Sequence, residues 1–173
     1  MYYSLVHFPQ IADEDFHQFR NKYDPFVDLL PAHIAFIFPL PDSVGLTNLK
    51  NHIQKIVDNW QPIDSCFNKL EKTFDHWLML IPSEGKSEII QLHDEFYQGI
   101  LTPYLREDLP YSPHIGLGFF SKENYDFDNP IAELTLDKSK YEKAFNQCKN
   151  FGFDFRITID RLTLIEVNET FTS

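Results

Sequence analysis

Apolar and polar residues alternate from Tyr2 to Phe8, the period of a strand with one buried face. The period then changes. Between Asp13 and Tyr23, the residues Phe16, Phe19, Arg20 and Tyr23 fall at helical spacing. Pro25 and Pro31 bracket a connection, and His33-Ile34-Ala35-Phe36-Ile37-Phe38 then reads as a short apolar strand closed by Pro39 and Pro41. Leu46 to Trp60 predicts an amphipathic helix with Leu49, Ile53, Ile56, Val57 and Trp60 on one face. Two strands are predicted near Ile63 to Thr73 and His76 to Ile81, followed by a turn at Pro82-Ser83-Glu84-Gly85. A long helix, Lys86 to Leu101, groups Ile89, Leu92, His93, Phe96 and Ile100. Pro113 to Phe120 is a further strand, and a helix from Lys138 to Asn150 stops at Phe151-Gly152. Phe153 to Asp160 and Arg161 to Asn168 are strand-like.

This order lacks both a Gly-rich βα turn and strict βαβ alternation, which argues against a single parallel sheet. It predicts an α+β chain of antiparallel sheets flanked by helices. No linker, repeat tract or charge block divides residues 1–173, so one domain is expected.

Composition narrows the function classes. The chain is 43 % hydrophobic and 16 % aromatic, with 17 phenylalanines, which is the make-up of a packed globule. Net charge is −11, and the 15 Lys and Arg residues are scattered rather than striped. A long nucleic acid duplex is therefore a poor partner, whereas a small phosphate ester, a nucleotide or an RNA end needs only a local positive site. No apolar run reaches the length of a membrane span. The N-terminus reads as a first strand rather than a signal peptide, and Cys66 and Cys148 form no disulfide or metal pattern, which together predict a cytoplasmic protein with reduced thiols.

Two of the strands match. His33-Ile34-Ala35-Phe36 and His114-Ile115-Gly116-Leu117 each run histidine, isoleucine, small residue, large apolar residue, with the histidines 81 positions apart (33 to 114). Such a weak duplication predicts two like strands about a pseudo-twofold axis. Strict alternation puts His33, Ala35 and Ile37 on one face of the first strand, and His114, Gly116 and Gly118 on one face of the second. The bulky opposite faces belong under helices. The histidine faces, thinned by Ala35, Gly116 and Gly118, then wall a central cleft, although Gly118 also suits a bulge. Two imidazoles titrating near neutrality can share the base and acid roles that opening a phosphodiester requires, with no metal or other cofactor.

These residues resemble the two-histidine (2H) phosphoesterase superfamily, which includes 2′-5′ RNA ligase-like proteins and cyclic nucleotide phosphodiesterases. The family motif, His-x-Thr/Ser followed by an apolar residue, occurs twice about eighty residues apart, and the resemblance spans nearly the whole chain. It implies a two-lobed α+β fold around a central cleft, with His33 and His114 as catalytic residues. The implied activity is on a 2′,3′-cyclic phosphate or a 2′-5′ linkage of a small nucleotide or RNA end. The chain departs from the motif at the third position: Ala35 and Gly116 stand where the family places the hydroxyls that hold the phosphate. Losing a preorganised anion donor costs on the order of 10²–10³ in rate. This departure supports an alternative, a catalytically impaired member that binds a phosphate-bearing ligand in the same cleft. Tyr111, Ser112, Arg106 and Arg161 are candidate substitute donors, and the thinned strand at Gly116 lets a ligand approach the backbone. His7 and His76 lie in strands without a zinc-ligand spacing. His17, His52 and His93 fall on helices as surface or interface residues.

Overall fold

The structure, a computed structural model, describes residues 1–107, 110–123 and 134–167. Its elements follow in the expected order: β1 (Tyr2–His7), α1 (Glu14–Tyr23), β2 (Ile34–Pro41), α2 (Leu46–Val57), β3 (Ile63–Lys72), β4 (Trp77–Glu84), α3 (Lys86–Phe96), β5 (Ile115–Phe119), α4 (Lys138–Phe151), β6 (Phe155–Ile159) and β7 (Thr163–Val167). Asn168, the expected end of the last strand, lies outside the described residues. The strands form two antiparallel sheets, ordered β2-β1-β7 and β5-β4-β3-β6. The fold is the expected α+β arrangement. No helix among the described residues is long and apolar enough to cross a membrane.

The helix ends show why these segments are helical. Asp13 caps α1 by accepting from the Phe16 N–H at 2.8 Å, with Glu14 and Asp15 in the first turn and Arg20 and Lys22 in the last. Its buried face is Phe16, Phe19, Arg20 and Tyr23, the four residues set by the periodicity. Asp137 caps α4 through the Lys140 N–H at 3.0 Å, and Gly152, at φ 63°, closes it in a left-handed turn.

Two helices are shorter than their apolar patterns. The α2 helix stops at Val57, and Trp60 follows in a turn whose N–H reaches the Val57 carbonyl. The α3 helix stops at Phe96; Gly99 adopts φ 59° and opens a short 3₁₀ segment, Gly99–Tyr104, that holds Pro103. Strands, conversely, run through prolines expected to end them. Pro39 and Pro41 lie in β2, an edge strand on which a missing N–H leaves no ladder bond unmade. Pro82 lies in β4, where a turn was expected; β5 pairs with β4 only from Trp77 to Leu80, and the β3 side is bulged at Phe67.

The halves interlock. The α1 helix packs on β5 and α3 packs on β2, so each half covers the histidine strand of the other. One apolar cluster joins both sheets, with Leu5, Phe36 and Ile37 from one and Leu78, Leu80 and Ile115 from the other.

Candidate functional site

The two histidine strands share a defect at the same place. Along β2, Ala35 pairs with Val6 and Ile37 with the adjacent Leu5, so Phe36 is an extra residue. Along β5, Gly116 pairs with Met79 and Gly118 with the adjacent Leu78, so Leu117 is extra. Phe36 and Leu117 are themselves 81 positions apart. A bulge resets the alternation of faces. Ile37 therefore turns into the core beside Leu5, and Gly118 turns toward α1, where an added Cβ would lie 2.7 Å from the Tyr23 Cβ. This corrects the strict-alternation expectation: Ile37 and Gly118 leave the histidine faces, and in β5 the same reset brings Phe119, paired with Trp77, onto the face of Gly116. Of the bulky residues, Phe36 lies under α3, meeting Phe96 edge-on at 6.3 Å.

His33 and His114 immediately precede their strands and are held alike. The Nδ1–H of His33 donates to the Pro31 carbonyl at 2.9 Å, and that of His114 to the Ser112 carbonyl at 2.7 Å. A carbonyl only accepts, so each bond fixes the tautomer and leaves Nε2 as the nitrogen that takes or gives a proton. The rings are near enough that charge on His114 disfavours charge on His33.

Both histidines sit below their usual value of 6.5, chiefly because burial disfavours the cation, with each carbonyl bond opposing that effect. Their charged neighbours differ. Arg20 lowers His33 further and Asp24 raises it, whereas Asp75 and Glu71 both raise His114. Arg20 and Asp24 form a buried ion pair at the end of α1. Asp24 also accepts from the Phe26 N–H at 2.9 Å, and Arg20 donates to the Leu30 carbonyl at 3.4 Å, so the pair ties down the connection that delivers His33.

Aromatic rings line both strands. Phe8 meets His33 edge-on at 6.5 Å. Trp77 stacks on Phe26 at 5.9 Å and lies 3.8 Å from where a Gly116 Cβ would be, so Gly116 has room for a side chain.

The remaining candidates are dispersed. Ala35 lies on the His33 face, and its carbonyl accepts from the Tyr111 hydroxyl at 2.7 Å. That bond engages the Tyr111 proton and ties the approach to β5 to β2, and the Tyr111 ring stacks on His93 at 3.7 Å. His93, expected as a surface or interface residue, is buried. Ser112 contributes the carbonyl that holds His114. Arg106 borders a cavity of about 290 Å³ with His93, Tyr97 and Tyr111. Arg161 is exposed at the head of β7, and its carbonyl accepts from the His7 Nδ1–H at 2.8 Å. Gly116, opposite Met79, stays on the His114 face.

Sequence reasoning did not single out Asp24, Asp75 or Trp77. Asp24 carried a usable signal: it lies four residues after Arg20, which falls on the apolar stripe of α1, where a buried cation needs a partner. Asp75 had no such signal. It lies in the β3–β4 turn beside His76, which adopts φ 70°, and Asp75 Oδ1 and His76 Nδ1 are both buried without a hydrogen-bond partner. Among the described residues, no group of three or more His, Cys, Asp and Glu side chains is placed to hold a metal ion.

Comparison with known proteins identifies the family. A protein of Geobacillus thermodenitrificans named "Putative phosphoesterase" is 24 % identical over 168 residues, covering 95 % of this chain and 87 % of its own. A Geobacillus kaustophilus protein with a similar name matches to the same extent. A Bacillus licheniformis relative is 26 % identical over 118 residues, covering 66 % of this chain and 69 % of its own. The sequence model of the 2′-5′ RNA ligase superfamily matches residues 8–170, nearly the whole chain. The chain thus belongs to the 2′-5′ RNA ligase superfamily, the two-histidine phosphoesterases that its paired strands resemble.

Proposed function

We propose that this protein is a metal-independent phosphoesterase. It acts on a 2′,3′-cyclic phosphate or a 2′-5′ linkage of a small nucleotide or RNA end, with His33 and His114 as the acid–base pair. The observation that carries this is the like clamping of the two imidazoles, each Nδ1–H on the carbonyl two residues back, with charge on one ring felt by the other. In hydrolysis of a cyclic diester, the base takes a proton from water as the water oxygen bonds to phosphorus. The acid protonates the leaving alkoxide as the P–O bond breaks. Asp75 and Glu71, which both raise His114, favour it as the acid, and leave His33, where Arg20 and Asp24 oppose each other, as the base. The names of the Geobacillus relatives agree with a phosphoesterase. The free, buried thiols of Cys66 and Cys148 suit a cytoplasmic setting.

The test is hydrolysis of a panel of cyclic phosphodiesters and 2′-5′ dinucleotides in the presence of a chelator, by wild type, His33→Ala and His114→Ala. Each substitution is expected to lower kcat by at least about 10²-fold, the lower range for one acid–base group. Activity that survives both would overturn the reading. In Asp75→Asn the alkaline limb of the pH profile is expected to move to lower pH, because the carboxylate that raises His114 is gone.

Ala35 and Gly116 favour a second reading, a member that holds a nucleotide or similar anion in the cleft with little turnover, because neither side chain donates to a phosphate. Gly116→Ser combined with Ala35→Thr separates the two. A gain of tenfold or more in kcat points to a depleted enzyme site. Absence of phosphate or nucleotide binding in every variant removes the second reading.

A further inference from the structure

We propose that the cavity between β6, β7 and the end of β1 is a second anion subsite. It takes the phosphate of an adjoining nucleotide when the scissile phosphoester of a short oligonucleotide lies between His33 and His114. The proposal rests on the phosphoesterase reading for its substrate class and selects, within it, an oligonucleotide end over a mononucleotide.

The cavity has a volume of about 650 Å³, and Phe8, Arg156, Thr158, Arg161 and Thr163 are among the residues that line it. The chain has only four arginines, and two of them, Arg156 and Arg161, both line this cavity on a protein of net charge −11. Asp160 is the single carboxylate among the described lining residues. Guanidinium groups match phosphate oxygens in a two-pronged geometry that a lone lysine cannot supply.

Both arginines are available to a ligand. Arg156 makes a loose 3.5 Å pair with Glu84 in which both side chains are largely exposed, the kind of pair that contributes little and yields easily. The backbone of Arg161 is anchored through its carbonyl to His7 while its side chain is not needed for that bond. The Thr158 hydroxyl proton is engaged with Asp64 at 2.6 Å, which leaves Thr163 as the hydroxyl donor.

The sheet connects this cavity to the histidines. Ala35, Val6 and Thr163 lie opposite one another across β2, β1 and β7, and so share one face of the sheet. That face carries His33, two residues before Ala35. With β1 between them, β2 and β7 are about 10 Å apart, a span that one nucleotide step or two can bridge. Phe8 belongs to both places: it lines the cavity and meets the His33 ring edge-on at 6.5 Å.

The test uses the full chain and its Arg156→Gln/Arg161→Gln variant. The probes are a deoxymononucleotide 3′-phosphate and the deoxydinucleotide 3′-phosphate, which carries one phosphate more and cannot be cleaved through a 2′-hydroxyl. Calorimetry is expected to show the dinucleotide binding wild type at least tenfold more tightly, with the advantage shrinking as salt rises. In the double variant the two probes are expected to bind alike. Equal binding of both probes to wild type overturns the proposal, as does an advantage that survives in the variant. Inorganic phosphate that displaces the dinucleotide at equal concentration also overturns it, since the site would then hold the free anion. Hydrolysis of the corresponding ribo cyclic phosphates is measured separately. A binding advantage without turnover removes the catalytic reading and keeps the subsite; turnover of both with equal KM does the reverse.

Discussion

Gly116 and Gly118, two residues apart in β5, differ sharply in the space around them. At Gly118 an added Cβ would meet the Tyr23 Cβ at 2.7 Å and the Tyr23 carbonyl oxygen at 3.0 Å. The α1 helix cannot approach β5 this closely with a side chain in between, so Gly118→Ala is expected to cost about 1–3 kcal/mol, the range for overpacking a core. At Gly116 the nearest atom is a Trp77 ring carbon at 3.8 Å, an ordinary contact. Gly116→Ser is expected to stay within about 0.5 kcal/mol of wild type. Urea denaturation of both variants checks the contrast, and equal stabilities would refute it. The distinction has a functional side: the family's hydroxyl position is sterically open in β5, so its absence is not imposed by packing.

At the scale of elements, the connection between α1 and β2 carries His33 and has little regular structure of its own. What orders it is the buried pair of Arg20 and Asp24, through the Leu30 carbonyl and the Phe26 N–H. Removing one partner strands a buried charge, so Asp24→Asn is expected to destabilise the protein by about 3–5 kcal/mol. Arg20→Met/Asp24→Leu removes both charges and is expected to recover most of that stability, while leaving the connection without its hydrogen bonds. A thermal melt reads the first effect. A fall in kcat in the stable double variant reads the second; kcat equal to wild type would show that the pair serves stability alone.

For the whole molecule, one buried and two half-buried histidines make stability depend on pH. His33, His114 and His93 all lie below the usual 6.5, with burial as the leading cause in each. Between that value and the lower folded one, the unfolded chain binds more protons than the folded chain. Their contribution is therefore complete above 6.5 and is lost as pH falls through that window. The urea midpoint is expected to be lower near about pH 5.5 than near about pH 7.5, and His33→Gln/His114→Gln is expected to flatten that slope. A slope unchanged by the double substitution would assign the acid sensitivity to other groups.

Much of the fold was legible in the sequence because it is written in short-range periods. The apolar stripe of α1 and the Gly152 stop each act within a turn of helix, so local order suffices to read them. The 81-residue spacing of His33 and His114 was legible for the same reason, as two local patterns that repeat. Periodicity failed where long-range pairing overrides it. The bulges at Phe36 and Leu117 exist only relative to β1 and β4, and they turn Ile37 and Gly118 away from the histidine faces. Pro82 continues β4 because β5 is too short to ask for its N–H. Asp75 acts on His114, and Arg156 joins Arg161, only once turns and strands distant in sequence are packed together. The residue types and their order determined which two histidines match and which hydroxyls are missing; the pairing of strands decided which side chains share their face, because a single inserted residue inverts every position after it.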